Sequence, residues 1–217
     1  MESDKIGIKL LVIIIAVVAC IEAVTRCMLL MEQYPPMIIM GVARITGVVL
    51  IVLIVLVWGR GLSSIGLSPP HIMLGVKKGL IWSAILGAVT LLVFVALYVA
   101  GVDPLACIHA DLPSERKDIL LFFVVGAIVA PMAEEVFFRG VLYGFFRRWG
   151  VFVAVVISTL LFVIVHPIGS GIPWPQIFGG ILFAVAYETA GSLAAPVIIH
   201  ILGNLAIFTL SLISLAS

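Results

Sequence analysis

Charge is what this sequence has least of. Only 11% of its 217 residues are Asp, Glu, Lys or Arg, where a soluble domain carries about a quarter. Hydrophobic residues make up 64%, where about half is usual, and mean hydropathy is +1.35. No globular core of this length could bury so much apolar surface, so the expected solvent is lipid. A net charge of +1 offers no basic surface for nucleic acid. Cysteine is scarce as well. Cys20, Cys27 and Cys107 make no CxxC pair and no even-numbered set, which argues against a zinc knuckle or a disulfide framework. No internal repeat and no low-complexity tract is evident. The first apolar run is too long for a signal-peptide core and lacks an A-x-A-like site, so a retained span is expected there.

What is present is a series of apolar runs of about 20 residues, the length that crosses a bilayer. They lie at roughly 8–30, 37–58, 79–100, 119–138, 151–166, 176–191 and 195–216. Proline and glycine punctuate the gaps, and 101–118 is the one clearly polar connection. The expected fold is an all-α polytopic membrane bundle of about seven (six to eight) helices. It divides into an N-terminal three-span region, 1–117, and a C-terminal four-span core, 118–217. Lys5, Lys9, Arg60, Lys77, Lys78, Arg147 and Arg148 fall on one side if the N-terminus is cytoplasmic. The expected location is a multi-pass membrane protein, in the cell membrane if the source is prokaryotic.

Ionisable residues inside spans are expensive and face the protein interior. Glu22 and Arg44 are placed to pair across the first helical hairpin. Within "AEEVFFRG" (133–140), Glu135 and Arg139 stand four apart in the favourable acid-to-base order. Adjacent helical residues point about 100° apart, so Glu134 is aimed elsewhere, without an in-helix counter-ion. Two later spans add polar groups: His166 in "FVIVHP", and His200 with Asn204 on one face of "HILGN".

A carboxylate in a low-dielectric pocket suits a general base near neutral pH. A neutral imidazole can orient the same water. Amide hydrolysis also needs donors for the oxyanion. Glu134 with His166 would activate water, and His200 with Asn204 would hold the oxyanion. Ser158, Thr159, Ser192 and Cys107 have no base at a helical spacing, which argues against an acyl-enzyme. No cofactor is expected. Zinc, on one carboxylate and two histidines, is the competing chemistry, although HExxH is absent.

Together and in this order, EExxxR (134–139), FxxxH (162–166) and HxxxN (200–204) resemble the CAAX prenyl protease and bacteriocin-processing (CPBP, or Abi) intramembrane proteases. The resemblance covers about residues 118–213. It implies a glutamate-type endopeptidase cutting near the C-terminus of a membrane-associated or lipidated substrate. Glu134 and His166 would activate water, His200 and Asn204 would stabilise the oxyanion, and Glu135 and Arg139 would shape the site. A non-enzymatic membrane scaffold or immunity protein, and a proton-coupled transporter, are the other classes. One geometric demand remains: at about 1.5 Å per residue, Glu134 lies roughly 20 Å from the Arg147 boundary and His166 about 27 Å, with His200 much nearer. Spans must tilt, start late or re-enter for these groups to meet.

Overall fold

The computed structural model describes residues 6–105, 110, 112, 113, 115–166 and 172–216. Lys5, Cys107, Asp111 and the connection 167–171 lie outside the described residues. Those described form helices and turns, with no strand among them. The helices are α1 (Ile8–Leu30), α2 (Pro36–Trp58) and α3 (Pro69–Val99), followed by a composite fourth rod. That rod runs through α4 (Arg116–Phe122), a π-helical stretch (Phe123–Val129), α5 (Ala130–Glu135), a second π stretch (Val136–Tyr143), α6 (Gly144–Phe146) and a 3-10 turn (Arg147–Trp149). Then come α7 (Val151–Val165), α8 (Trp174–Ala190) and α9 (Ala194–Ala216).

Among the described residues, five rods are long and apolar enough to cross a membrane: those over Ile8–Leu30, Pro36–Trp58, Leu62–Val99, Lys117–Trp149 and Ala194–Leu215. The outward apolar surface agrees, with Leu92, Val99 and Phe152 each more than two thirds exposed. The protein is an integral membrane helical bundle. Two expectations shift in detail. The third rod begins at Pro69, ten residues early, because paired prolines suit a helical first turn, where the missing N–H is not needed. The fourth continues through Arg147 and Arg148 instead of ending before them.

The depth demand is met by short and late elements. α7 has 15 residues and α8 has 17, about 22 and 26 Å, so neither matches a hydrocarbon core of about 30 Å. α7 therefore ends at the level of Glu134. The turn from α8 to α9 is itself interior: Ser192 and Leu193 are fully buried, and the Leu193 N–H donates to the Gly66 carbonyl at 2.9 Å. Gly66 caps a 3-10 turn (Leu62–Ile65) whose Ile65 is also fully buried. α9 thus starts inside the bundle, which lifts His200 toward the other two groups.

The first π stretch ends against Pro131. In a π register each N–H bonds the carbonyl five residues back, as Ala130 does with Val125. The next donor would be residue 131, and proline has no N–H. The Gly126 carbonyl is left over. The apolar core joins Leu10 and Ile14 of α1, Ile51 and Val55 of α2, Val141 of the fourth rod, Phe162 of α7 and Tyr187 of α8. The N-terminal hairpin is packed directly onto the C-terminal rods.

α3 meets α9 through a GxxxG pair, Gly75 and Gly79. A methyl group on Gly75 would lie 2.4 Å from Ser192 Oγ, and one on Gly79 would lie 2.8 Å from the Ala195 carbonyl oxygen. Small residues at this spacing let two membrane helices approach at backbone distance. Gly79→Leu is expected to lower stability in detergent by about 2 kcal/mol or more, because backbone cannot yield. Gly87→Leu, on the same helix with nothing within 4 Å, is the control. Thermal unfolding of both variants at equal temperatures would contradict this packing.

Candidate active site

The chain places two carboxylates side by side on the fourth rod and uses them differently. Glu135 and Arg139 are both fully buried, one helical turn apart, with Arg139 Nη1 donating to Glu135 Oε1 at 3.1 Å. Arg139 Nη2 donates to the Gly180 carbonyl of α8 at 3.1 Å. Its guanidinium lies over the Phe162 ring, 4.7 Å from the centroid, and 5.3 Å from that of Phe183. Gly180 permits this approach, because a Cβ there would lie 2.7 Å from a Thr159 methyl. A buried charge is tolerable only when paired and hydrogen-bonded, and here one arginine ties α7, α8 and the fourth rod together.

Glu135 has a second partner. His200 Nδ1 on α9 lies 2.9 Å from Glu135 Oε1. A carboxylate accepts, so Nδ1 carries the proton and Nε2 is turned away from Glu135. His200 is stacked on Phe183, ring centroids 4.4 Å apart and 21° from parallel. His166 is held by the same logic. It is the C-cap of α7, and its Nδ1 donates to the Phe162 carbonyl at 2.6 Å, one of the carbonyls a helix end leaves unpaired. Both imidazoles therefore spend Nδ1 on positioning and turn Nε2 toward one place.

That place is Glu134. Its Oε2 is 3.7 Å from His166 Nε2 and 3.9 Å from His200 Nε2. Both distances exceed direct hydrogen bonding and are short enough for one water to touch all three groups. With both Nδ1 atoms donating, each Nε2 facing Glu134 accepts in the neutral ring and donates in the imidazolium. Such a trio can hold one water between them. Arg147, the counter-ion a snorkelling Glu134 would need, is taken by Glu188 through Nε and Nη2 at 2.8–3.1 Å, with Tyr143 Oη adding 2.7 Å.

Asn204, one turn beyond His200 on α9, stands somewhat apart. Its Nδ2 donates to the Gly126 carbonyl at 3.0 Å, the acceptor that Pro131 leaves unpaired. One amide N–H is thereby committed, and one remains. A cavity of about 540 Å³ opens beside Glu134 and His166, walled by Phe137 and Phe138 and, from the N-terminal hairpin, Glu22, Arg26 and Arg44. Glu22 and Arg44 form an ion pair across that hairpin. Among the described residues, no group of three His, Cys, Asp or Glu side chains is arranged to hold a metal ion.

Sequence spacing brought together Glu134, His166, His200 and the Glu135–Arg139 pair. It did not reveal the His200–Glu135 bond, the partner of Asn204, or the hairpin charges on the cavity wall. Only Pro131 carried a signal for the second, since a proline inside a helix always frees a carbonyl.

An intramembrane site of one carboxylate and two imidazoles is the class of centre these contacts define. Residues 116–206 match the family model for Rce1-like proteins, type II CAAX prenyl endopeptidases. The membrane-embedded CAAX protease MroQ of Staphylococcus aureus (strain USA300) is 34% identical over 99 residues, 42% of this chain and 38% of that protein. An uncharacterized 24.3 kDa protein of Escherichia coli is 32% identical over 88 residues, 38% of this chain and 41% of that one. The chain thus spans about two fifths of the length of the curated relatives it matches. No solved structure matches it. Through the region that carries all three motifs, the chain is similar to the Rce1-like type II CAAX prenyl endopeptidases.

Breaking a buried pair by removing one partner typically costs about 3–5 kcal/mol, whereas replacing both is far milder. Glu135→Leu is therefore expected to unfold at markedly lower temperature, and Glu135→Leu/Arg139→Met to recover most of the loss. An unchanged melting temperature in the single variant would show that the pair does not hold the rods.

Proposed function

We propose that this protein is an intramembrane endopeptidase that hydrolyses a peptide bond near the C-terminus of a membrane-associated, CAAX-type substrate. The observation that carries the reading is the approach of Glu134 Oε2 to two Nε2 atoms from different helices, beside a cavity large enough for a peptide. A second, apolar cavity of about 420 Å³ between α1 and α2 shares Ile21 and Ala43 with the first. It supports a lipidated substrate.

In this mechanism Glu134 and His166 orient one water, and Glu134 takes its proton as the oxygen attacks the scissile carbonyl carbon. The oxyanion is met by His200 and the second N–H of Asn204. Because Nδ1 of His200 is already spent on Glu135, its Nε2 donates only when the ring carries both protons. The C–N bond then breaks, and the leaving amine takes the proton from Glu134. The carboxylic acid formed passes its proton to the amine, so the products are a carboxylate and an ammonium, with no acyl-enzyme.

The activation of water is read as metal-free, and the N-terminus as cytoplasmic. His166→Ala is expected to lower kcat at least about 100-fold, the usual contribution of a positioned acid–base group, with thermal stability little changed. Retained cleavage of a farnesylated CAAX peptide would end this account. A shift in melting temperature with no peptidase activity in the parent protein would instead favour a non-enzymatic scaffold. Loss of activity on exhaustive chelation, restored by zinc alone, would replace the mechanism with a metal-dependent one.

A further inference from the structure

The cavity beside Glu134 carries charges that water activation does not use. Glu22, Arg26 and Arg44 all line it, and all belong to the α1–α2 hairpin, outside the residues matched to the family. Glu22 and Arg26 stand one turn apart in the order that favours pairing. The structure declines that pairing. Glu22 is bonded to Arg44 Nη1 across the hairpin, and among the described residues no acidic side chain lies within ion-pairing distance of Arg26. Arg44 Nε is buried without a hydrogen-bond partner. The cavity therefore has an acid–base end at Glu134 and His166 and, on its hairpin wall, one guanidinium with a spare Nε donor and a second without an acidic partner among the described residues. Two cations and one anion on that wall leave a single positive charge, carried by an exposed Arg26 near the end of α1.

Resting on the proposed peptidase reading, we infer that Arg26 and Arg44 form a carboxylate-binding subsite that takes the free C-terminal carboxylate of the peptide being cut. Guanidinium groups present forked donors that match a carboxylate bidentately. Cleavage near a C-terminus leaves a short fragment between the scissile bond and that carboxylate. Three extended residues reach about 10 Å, a length that a cavity of about 540 Å³ holds. The sign of the charge also sets direction. Glu134 repels the carboxylate and Arg26 attracts it, so the chain enters with its terminus toward the hairpin. Glu22 holds Arg44 in place on that wall.

The test uses the full chain in phosphatidylcholine nanodiscs with an S-farnesyl peptide ending in Cys-Val-Leu-Ser, prepared as the free acid and as the C-terminal amide. The free acid is expected to be cut about tenfold more efficiently in kcat/KM or better, chiefly through KM, as for a charge-assisted contact. Arg26→Gln should shrink that preference to within about threefold, lowering kcat/KM for the free acid far more than for the amide. A structural role alone would lower both rates together. Arg44→Lys, which keeps the charge but not the fork, should show a smaller loss of the same kind. Equal cleavage of acid and amide by the parent protein would overturn the subsite and leave the peptidase standing. So would a preference that survives in Arg26→Gln. If acid and amide are cut alike and Arg26→Gln slows both until anionic lipid is added, the occupant is a lipid headgroup and the inference fails. No cleavage of either peptide would sink the peptidase reading and this inference with it.

Discussion

The site depends on one buried carboxylate. Glu135 accepts from Arg139 at 3.1 Å and from His200 Nδ1 at 2.9 Å through the same oxygen, with no exposure to solvent. In lipid an unpaired charge has no water to retreat to, so this oxygen commits the fourth rod and α9 to one relative placement. Arg139 extends the commitment to α8 through Gly180 and to α7 through the Phe162 ring. Everything said of Glu134 follows from its neighbour. Once residue 135 is locked inward on the helix, residue 134 must point about 100° away, into the cavity and toward both Nε2 atoms.

The rest of the fold serves depth. A membrane protein of evenly long spans would leave His200 near one surface and His166 near the other. Here α7 stops short, and the α8–α9 turn is buried beneath the Gly66 loop, so both imidazoles reach the level of Glu134. Backbone economy in lipid explains the remaining peculiarity. Pro131 frees the Gly126 carbonyl in a place without water, and Asn204 supplies the missing N–H. In the proposed mechanism Asn204 serves both that backbone group and the oxyanion, which its two amide hydrogens permit.

The membrane class, the seven apolar runs and the Glu135–Arg139 pair were legible in the sequence because each depends on composition or on i,i+4 spacing. So was the pairing of Glu22 with Arg44, an acid and a base on the two helices of one hairpin. The convergence of Glu134, His166 and His200 was legible as three motifs but not as a geometry, because spacing within one helix says nothing of the depth of another. What stayed hidden involves contacts between elements: the His200–Glu135 bond, the carbonyl under Asn204, and the hairpin charges on the cavity wall. The extent of the third and fourth rods was misjudged for a related reason. Polar residues such as Lys77 and Arg147 marked a hydropathy boundary, while the hydrogen-bonded helix ran through it.

The central claim is that the Glu134 carboxylate, and no serine or cysteine, drives hydrolysis of a membrane-bound protein's C-terminal region. The most direct measurement compares the membrane proteomes of cells carrying the active protein and cells carrying Glu134→Gln at equal abundance. The expected result is at least one membrane protein whose C-terminus is trimmed in the first and intact in the second. Identical C-termini in the two, for a substrate that is trimmed only when the protein is present, would contradict it.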